Sequence, residues 1–264
     1  MLSYDFMKNA FLAVLLITPL FGLVGTMVVN NKLAFFSDAL GHSALTGIAL
    51  GVLLGIPDPL ISMGIFSIIF AILLNSIKHS GIASNDTVIS VFSSASIALG
   101  LVLLSRSGSF AKYSSYLLGD ILTIDTNQIK LMAVIFVVVL IFWLLFFNKL
   151  LSASTNASLS RSRGINIKFI ETLFIVLIAM IVTVSIKWTG ILLINSLLIL
   201  PAAASRNISR NIRQYHLFSV IFSTFSGLSG LTLSFYLNLA AGPVIVLLSA
   251  IVFFITFLFR KIKL

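Results

Sequence analysis

Asp38 and His42 are the residues of this chain whose types and spacing are best suited to metal chemistry. They are four positions apart, and on a helix that spacing places both side chains on one face. Together they offer one oxygen and one nitrogen ligand to a borderline divalent cation. Ionisable groups are scarce around them, since the 264 residues include only seven acids and three histidines. Such a residue within an apolar span indicates a functional site, because its desolvation is costly.

Two ligands are an incomplete set, because zinc usually takes four and manganese about six. Incompleteness suits transport better than storage, since a permeating ion must bind weakly enough to leave. A symmetry-related second copy would supply the missing ligands. The alternative interpretation is a helix boundary, in which Asp38 with Ser37 caps the second helix and His42 is an ordinary polar residue.

The elements that must position this pair are membrane spans. The mean hydropathy is +1.16 and 9% of residues are charged, against about 25% in soluble domains. The chain lacks cysteine, which excludes a disulfide framework and a thiolate metal cage. We therefore predict an all-α, polytopic membrane helix bundle that forms a single domain over residues 1–264.

Hydrophobic runs and breakers predict about nine spans, or eight if one segment near Lys187 to Gly190 is wrongly divided. The first is interpreted as a retained span rather than a signal peptide. The predicted segments are 10–29, 39–56, 59–78, 88–105, 128–147, 169–187, 190–204, 217–237 and 242–259.

The formal charge of +10 is explained by topology and does not require a nucleic-acid partner. With the N-terminus outside and the C-terminus inside, the positive-inside rule is satisfied. Five basic residues then lie outside: Lys8, Arg106, Lys112, Lys130 and Lys187. The other twelve of the seventeen lie inside: Lys32, Lys78, Lys149, Arg161, Arg163, Lys168, Arg206, Arg210, Arg213, Arg260, Lys261 and Lys263.

Two segments are too polar to span. Residues 106–128 are predicted to form an external loop with a short interfacial helix. Residues 148–168 are serine-rich and cytoplasmic in this topology, and two interpretations stay open. One is a disordered connector. The other is a short docking helix over 157–163 that ends at Gly164.

Small residues recur every four positions in the second predicted span, a spacing that permits close helix packing in lipid. They are Ala39, Ser43, Gly47, Gly51 and Gly55. In the late span, Asn195 and Ser196 interrupt an apolar run before Pro201 and either bond across helices or line a pathway. Asp120 either helps to admit cations or is merely solvated.

No nucleotide-binding Gly-x-x-x-x-Gly-Lys-Ser/Thr loop, His-Glu-x-x-His helix or Gly-x-Ser-x-Gly elbow occurs in the sequence. No feature of the sequence indicates an enzyme.

Three ordered stretches resemble the membrane permease subunit of the metal-type ABC importers, which serve zinc, manganese and iron uptake in bacteria. The stretches are FFSDALGHSAL at 35–45 with GIALG at 47–51, YLLGDIL at 116–122, and GILLINSLLILPAAASR at 190–206. The resemblance covers nearly the whole chain. It implies a multi-pass protein of the bacterial inner membrane.

The resemblance further implies a permease that dimerises, docks two ATPase subunits that bind ATP, and receives metal from an extracytoplasmic binding protein. It implies that Asp38 and His42 lie on the translocation path, and that a coupling helix near 157–164, including Arg161, Arg163 and Gly164, contacts the ATPase. The transported ion is expected to be zinc first, then manganese, then ferrous iron. The rival interpretation is a cation channel or secondary transporter that needs no ATP.

Overall fold

The computed structural model describes residues 4–78 and 85–260, and helices account for all of the regular secondary structure in those ranges. His79, Lys261 and Lys263 lie outside the described residues. The helices are α1 (Asp5–Asn30), α2 (Ala34–Leu53), α3 (Pro59–Lys78), α4 (Asn85–Arg106), α5 (Phe110–Tyr113), α6 (Ser115–Leu118), α7 (Thr126–Thr155), α8 (Ala157–Ser162), α9 (Ile167–Thr189), α10 (Ile191–Ile208), α11 (Ile212–Leu237) and α12 (Ala241–Arg260).

Eight of the described helices are long and apolar enough to cross a membrane, and a ninth apolar helix, Leu193–Ile208, is shorter. The predicted all-α membrane bundle of eight to nine spans is therefore confirmed. One predicted boundary that differs is the start of α2, which begins at Ala34 rather than at residue 39. Lys32 has a left-handed φ of 56°, and the Leu33 N–H donates to the Val28 carbonyl over 2.8 Å. This Schellman-type turn ends α1 and lets α2 begin almost at once.

Helix α7 is longer than predicted and continues to Thr155. Its 30 residues extend about 45 Å at 1.5 Å per residue, which exceeds the roughly 30 Å hydrocarbon core. The serine-rich end is therefore helical and emerges from the apolar layer. The disordered-connector interpretation of residues 148–168 was wrong.

The chain folds into two compact units, with Phe35–Ser114 and Val137–Val184 in the second and the remainder in the first. Each unit is assembled from separate stretches of the chain. The single domain over 1–264 stays a prediction.

In the first unit, α1 and α11 pack through hydroxyl groups that donate to carbonyl oxygens across the helix pair. Ser219 Oγ donates to the Gly22 carbonyl oxygen over 2.6 Å, and Ser223 Oγ donates to that of Thr18 over 2.5 Å. Tyr215 Oη donates to the Thr26 carbonyl oxygen over 3.3 Å. Within lipid the hydrophobic effect does not drive helices together, so close packing of small residues and interhelical hydrogen bonds hold this pair.

The predicted loop at 106–128 contains α5, α6 and a 3-10 turn, Ile121–Thr123. Within the first unit, the Asp120 N–H donates to the Lys187 carbonyl oxygen over 3.1 Å. Gly119 and Gly190 both have positive φ, 70° and 80°. The two glycines lie against each other, and a side chain on either would collide with the backbone around the other. Their lack of Cβ atoms lets the loop lie against the start of α10.

In the second unit, the predicted small-residue packing holds for Gly47 and Gly51 of α2. A Cβ on Gly47 would lie 2.9 Å from Met63 Cα, and one on Gly51 would collide with Ser62. These glycines therefore let α3 approach α2 closely. Gly55 does not belong to this stripe, because α2 ends at Leu53 and Gly55 occupies the following turn with a φ of 69°.

Candidate metal-ion site

Helix α2 places Asp38 and His42 one turn apart near its start. His42 Nε2 lies 3.5 Å from Asp38 Oδ2, and the side chains are 23% and 42% exposed respectively. Asp38 is the fifth residue of the helix, so it is not the N-terminal cap. The boundary interpretation of this pair was therefore wrong in its geometry.

The two donor atoms are spaced as a pair of ligands to one cation would be. With metal–ligand distances of about 2.1 Å, atoms 3.5 Å apart subtend about 110° at the metal, close to a tetrahedral angle. At 3.5 Å the direct contact between them is weak as a hydrogen bond. A cation that binds both atoms would therefore break only a weak contact between the two side chains.

The pair opens into a cavity of about 690 Å³ whose opposite wall is α4. Asp86, Ser90 and Ser94 lie at i, i+4 and i+8 of this helix, so they share one face and add oxygen donors to the wall. Sequence reasoning missed them, although their four-residue spacing was a usable signal. The lining residues are Phe35, Asp38, His42, Asp86, Thr87, Ile89, Ser90, Val91, Ser93, Ser94 and Ile97.

Helices α2 and α4 are held together beside this cavity. Thr46 Oγ1 donates a hydrogen bond to the Ser96 carbonyl oxygen, and the two hydroxyl oxygens lie 3.0 Å apart. Gly100 lets the helices approach, since a Cβ there would lie 2.8 Å from the Thr46 nitrogen. The cavity walls therefore have a fixed separation on one side.

Within the ranges 4–78 and 85–260, no three histidine, cysteine or acidic residues are grouped closely enough to hold a metal ion. Asp86 shares the cavity with the pair but does not join it as a third close ligand. One copy of the chain thus presents two candidate ligands close together and a wall of oxygen donors.

Three of the other predicted site residues lie in the first unit. Asn195 and Ser196 are half-buried on α10. Asp120 is exposed, and its Oδ1 accepts the Leu122 N–H over 2.9 Å, which caps the 3-10 turn. The Asp120 side chain therefore stabilises the start of this turn.

Helix α8 corresponds to the predicted docking helix and has well-formed ends. Asn156 Oδ1 accepts the Leu159 N–H over 2.9 Å at the N-terminus. At the C-terminus Gly164 has a φ of 74°, and the Gly164 and Ile165 N–H groups donate to the Arg161 and Ser160 carbonyls. This is a Schellman motif, so the predicted helix stop at Gly164 is correct.

The outward face of α8 is basic and partly apolar, whereas its inward face is tied to α7. Arg161 and Arg163 are exposed, and Leu159 is 46% exposed. Ser160 is fully buried, and its hydroxyl lies 2.8 Å from Ser152 Oγ. The arrangement presents two cations and one apolar side chain to an external surface.

Comparisons with known proteins give the family of the chain and relatives of similar sequence and fold. The sequence profile of the ABC 3 transport family matches residues 3–260. A high-affinity zinc uptake system membrane protein, ZnuB of Haemophilus influenzae, is 33% identical over 242 residues, which are 91% of this chain and 92% of that protein. A manganese transport system membrane protein, MntC of Listeria monocytogenes, is 26% identical over 98% of this chain and 92% of its own length.

The fold also matches that of a solved structure, PsaBC from Streptococcus pneumoniae in complex with Fab. The TM-score is 0.85 and the identity is 28%, over 96% of this chain and 91% of that one. The agreement extends across nearly the whole chain, as the three resembling stretches implied.

Proposed function

Because the chain belongs to the ABC 3 transport family, we propose that it is the membrane permease of an ATP-driven importer whose cargo is zinc. The observation that carries this proposal is the Asp38 and His42 pair, which faces the cavity between α2 and α4. A cation needs such a polar path, because an uncompensated charge within lipid is costly. The zinc ion at this site is the transported substrate.

Dimerisation completes the ligand set in this proposal. Two copies related by a two-fold axis would bring two carboxylates and two imidazoles to one ion, the four ligands that zinc prefers. In this proposal the second copy covers helix α4, whose apolar stretch is 22% buried within one chain. Asn195 and Ser196 are proposed to line a pathway for the ion, and exposed Asp120 to attract cations.

Energy comes from partner subunits, because the sequence lacks a nucleotide-binding loop. Two ATPase subunits would dock on α8 through Arg161, Arg163 and the Gly164 stop. ATP turnover would then open the cavity to alternate sides of the membrane, which couples two distinct sites through one conformational change. An extracytoplasmic binding protein would deliver the metal. This chain itself catalyses no reaction.

The proposed location is the bacterial inner membrane, with the N-terminus outside and the C-terminus inside. In the first unit, Lys32, Arg206, Arg210, Arg213 and Arg260 gather at one end of the spans. Basic residues concentrate on the cytoplasmic side of membrane proteins. Their clustering therefore supports the orientation.

Manganese is the second candidate cargo, and the α4 wall is the observation that favours it. Asp86, Thr87, Ser90 and Ser94 offer oxygen donors, which manganese accepts more readily than zinc does. The zinc choice rests on the imidazole of His42 and on the ZnuB relative. Ferrous iron ranks third.

The test is uptake of radioactive zinc and manganese by cells that express the chain with its ATPase and binding protein. Asp38→Ala and His42→Ala should each lower uptake at least about ten-fold, equivalent to roughly 1.4 kcal/mol of lost stabilisation. Asp125→Ala is the matched control, because that carboxylate caps the Gln128 N–H outside the cavity. Membrane insertion and ATPase association should be unchanged in all three.

Unchanged uptake of both metals by the Asp38 and His42 variants would contradict the proposed ion path. Uptake that persists without any ATPase would instead favour the rival channel or secondary transporter. Loss of manganese but not zinc uptake would reverse the order of the two cargoes.

A further inference from the structure

A second cavity lies at the basic end of the first unit, where α1, α10 and α12 end. Its volume is about 400 Å³, and the last turns of α10 and α12 form its main walls. Asn207 of α10 connects the two helices, since its Nδ2 donates to Thr256 Oγ1 of α12 over 3.3 Å. The lining residues are Val29, Ala203, Arg206, Asn207, Phe253, Phe257 and Arg260.

The described residues that line this cavity include two cations and no anion. Arg206 and Arg260 are both exposed, and within the part of the chain that the structure describes neither has a carboxylate within salt-bridge distance. Guanidinium groups bind phosphate oxygens through paired, charge-assisted hydrogen bonds. The cavity is therefore built to receive an anion.

The cavity also lies beside an apolar surface that suits acyl chains. On the last two turns of α12, Phe254 is 62% exposed, Leu258 70% and Phe259 57%, and Phe257 reaches from the cavity with 44% exposed. A soluble anion gains nothing from such a surface, whereas a phospholipid needs both a cationic pocket and an apolar flank. Basic pockets between spans on the cytoplasmic side are where anionic headgroups bind.

We propose that the cleft formed by Arg206, Arg260 and the end of α12 is a binding site for an anionic phospholipid of the inner leaflet. The phosphate would lie between the two guanidinium groups, and its acyl chains would run along Phe254 and Leu258. The site is separate from the metal cavity and depends on residues of the first unit alone. It holds α10 and α12 together at their ends, next to the Asn207–Thr256 hydrogen bond.

The experiment measures lipid retained by the purified full chain in native mass spectrometry. The probes are phosphatidylglycerol and phosphatidylcholine with identical acyl chains, offered in equal amounts. Wild type should prefer phosphatidylglycerol about ten-fold or more, and R206Q/R260Q should lose most of this preference, because each nearby basic residue strengthens binding to anionic lipid. R210Q/R213Q is the matched control, since it removes two exposed arginines from the same end but outside the cavity.

R206K/R260K should retain most of the preference, and R260Q alone should lose part of it if the double variant does not fold. Equal loss in R206Q/R260Q and R210Q/R213Q would overturn the site, because it would mean non-specific charge attraction. Absence of any wild-type preference would also overturn it. Full displacement of the lipid by soluble glycerol phosphate would assign a free-phosphate site and overturn the lipid. None of these outcomes depends on metal uptake.

Discussion

Thr46 Oγ1 donates a hydrogen bond to the Ser96 carbonyl oxygen and so joins α2 to α4, the two helices that line the cavity of Asp38 and His42. Thr46 lies four residues after His42, so it is on the same face of α2 as the pair, and it is fully buried. The contact between α2 and α4 therefore lies one helical turn beyond His42 and fixes the helix that carries the pair.

Thr46→Val should loosen this connection at nearly constant volume. We expect a loss of about 0.6–1.5 kcal/mol, the range for a hydrogen bond between membrane helices, and a lower midpoint in thermal unfolding of the detergent-solubilised chain. Thr232→Val is the control, since its hydroxyl donates to the Leu228 carbonyl of its own helix. Equal shifts for both variants would show that the interhelical bond contributes nothing.

Gly100→Ala should separate α2 from α4, because the new Cβ would lie 2.8 Å from the Thr46 nitrogen and cannot be accommodated by a side-chain movement. The backbones must shift, which costs about 1–3 kcal/mol as overpacking. Gly64→Ala is the matched control: its Cβ would meet only Thr183 Cγ2 at 3.7 Å, and alanine is favoured over glycine in a helix by about 1 kcal/mol.

The measurement for this glycine pair is thermal stability together with metal uptake. Gly100→Ala should lower both, and Gly64→Ala should lower neither. A stabilised Gly100→Ala protein would mean that the helices are not in contact at that point.

Asp86→Asn should weaken uptake less than Asp38→Ala does, by roughly three-fold, because it removes one charge from the cavity wall but none of the two close ligands. Uptake at limiting metal concentration is the appropriate assay. Asp58→Asn serves as control, since that carboxylate accepts the Leu60 N–H at the start of α3 and is absent from the cavity lining. An effect as large as that of Asp38→Ala would place Asp86 among the primary ligands.

Gly164→Ala should weaken the end of α8 by about 1–2 kcal/mol, because a φ of 74° is unfavourable for a residue with a Cβ. Nothing lies within 4 Å of the new methyl group, so the cost is confined to the backbone. Gly164→Asn should cost less, since asparagine tolerates this conformation.

Coprecipitation of the ATPase subunits with the permease measures the effect of the Gly164 variants. Binding should fall in the order glycine, asparagine, alanine, while metal affinity at the cavity stays constant. Gly108→Ala is the control, as it has the same kind of φ, 66°, and open space around it. If that variant lowers ATPase binding equally, α8 is not the docking element.

Local chemistry in the sequence was sufficient for several features. Runs of about 20 apolar residues predicted the spans, because a bilayer fixes the length of helix it can accommodate. The i, i+4 spacing predicted that Asp38 and His42 share a face, and Gly164 predicted the end of α8, because both depend only on helix geometry and on backbone sterics. The start of α2 was missed, since Lys32 adopts a conformation that sequence reasoning expects of glycine.

By itself the sequence determined a helical membrane protein and placed Asp38 and His42 on one face of its second helix, the pair proposed here to bind metal. Only the tertiary structure decided that α4 supplies the opposite wall, with Asp86, Ser90 and Ser94 lining the cavity of the pair, and that Arg206 and Arg260 share a cleft. The physical reason is that periodicity fixes which residues share a face of one helix. Which faces meet depends on close approach between distant segments, such as that of Gly100 to Thr46, which no local pattern encodes.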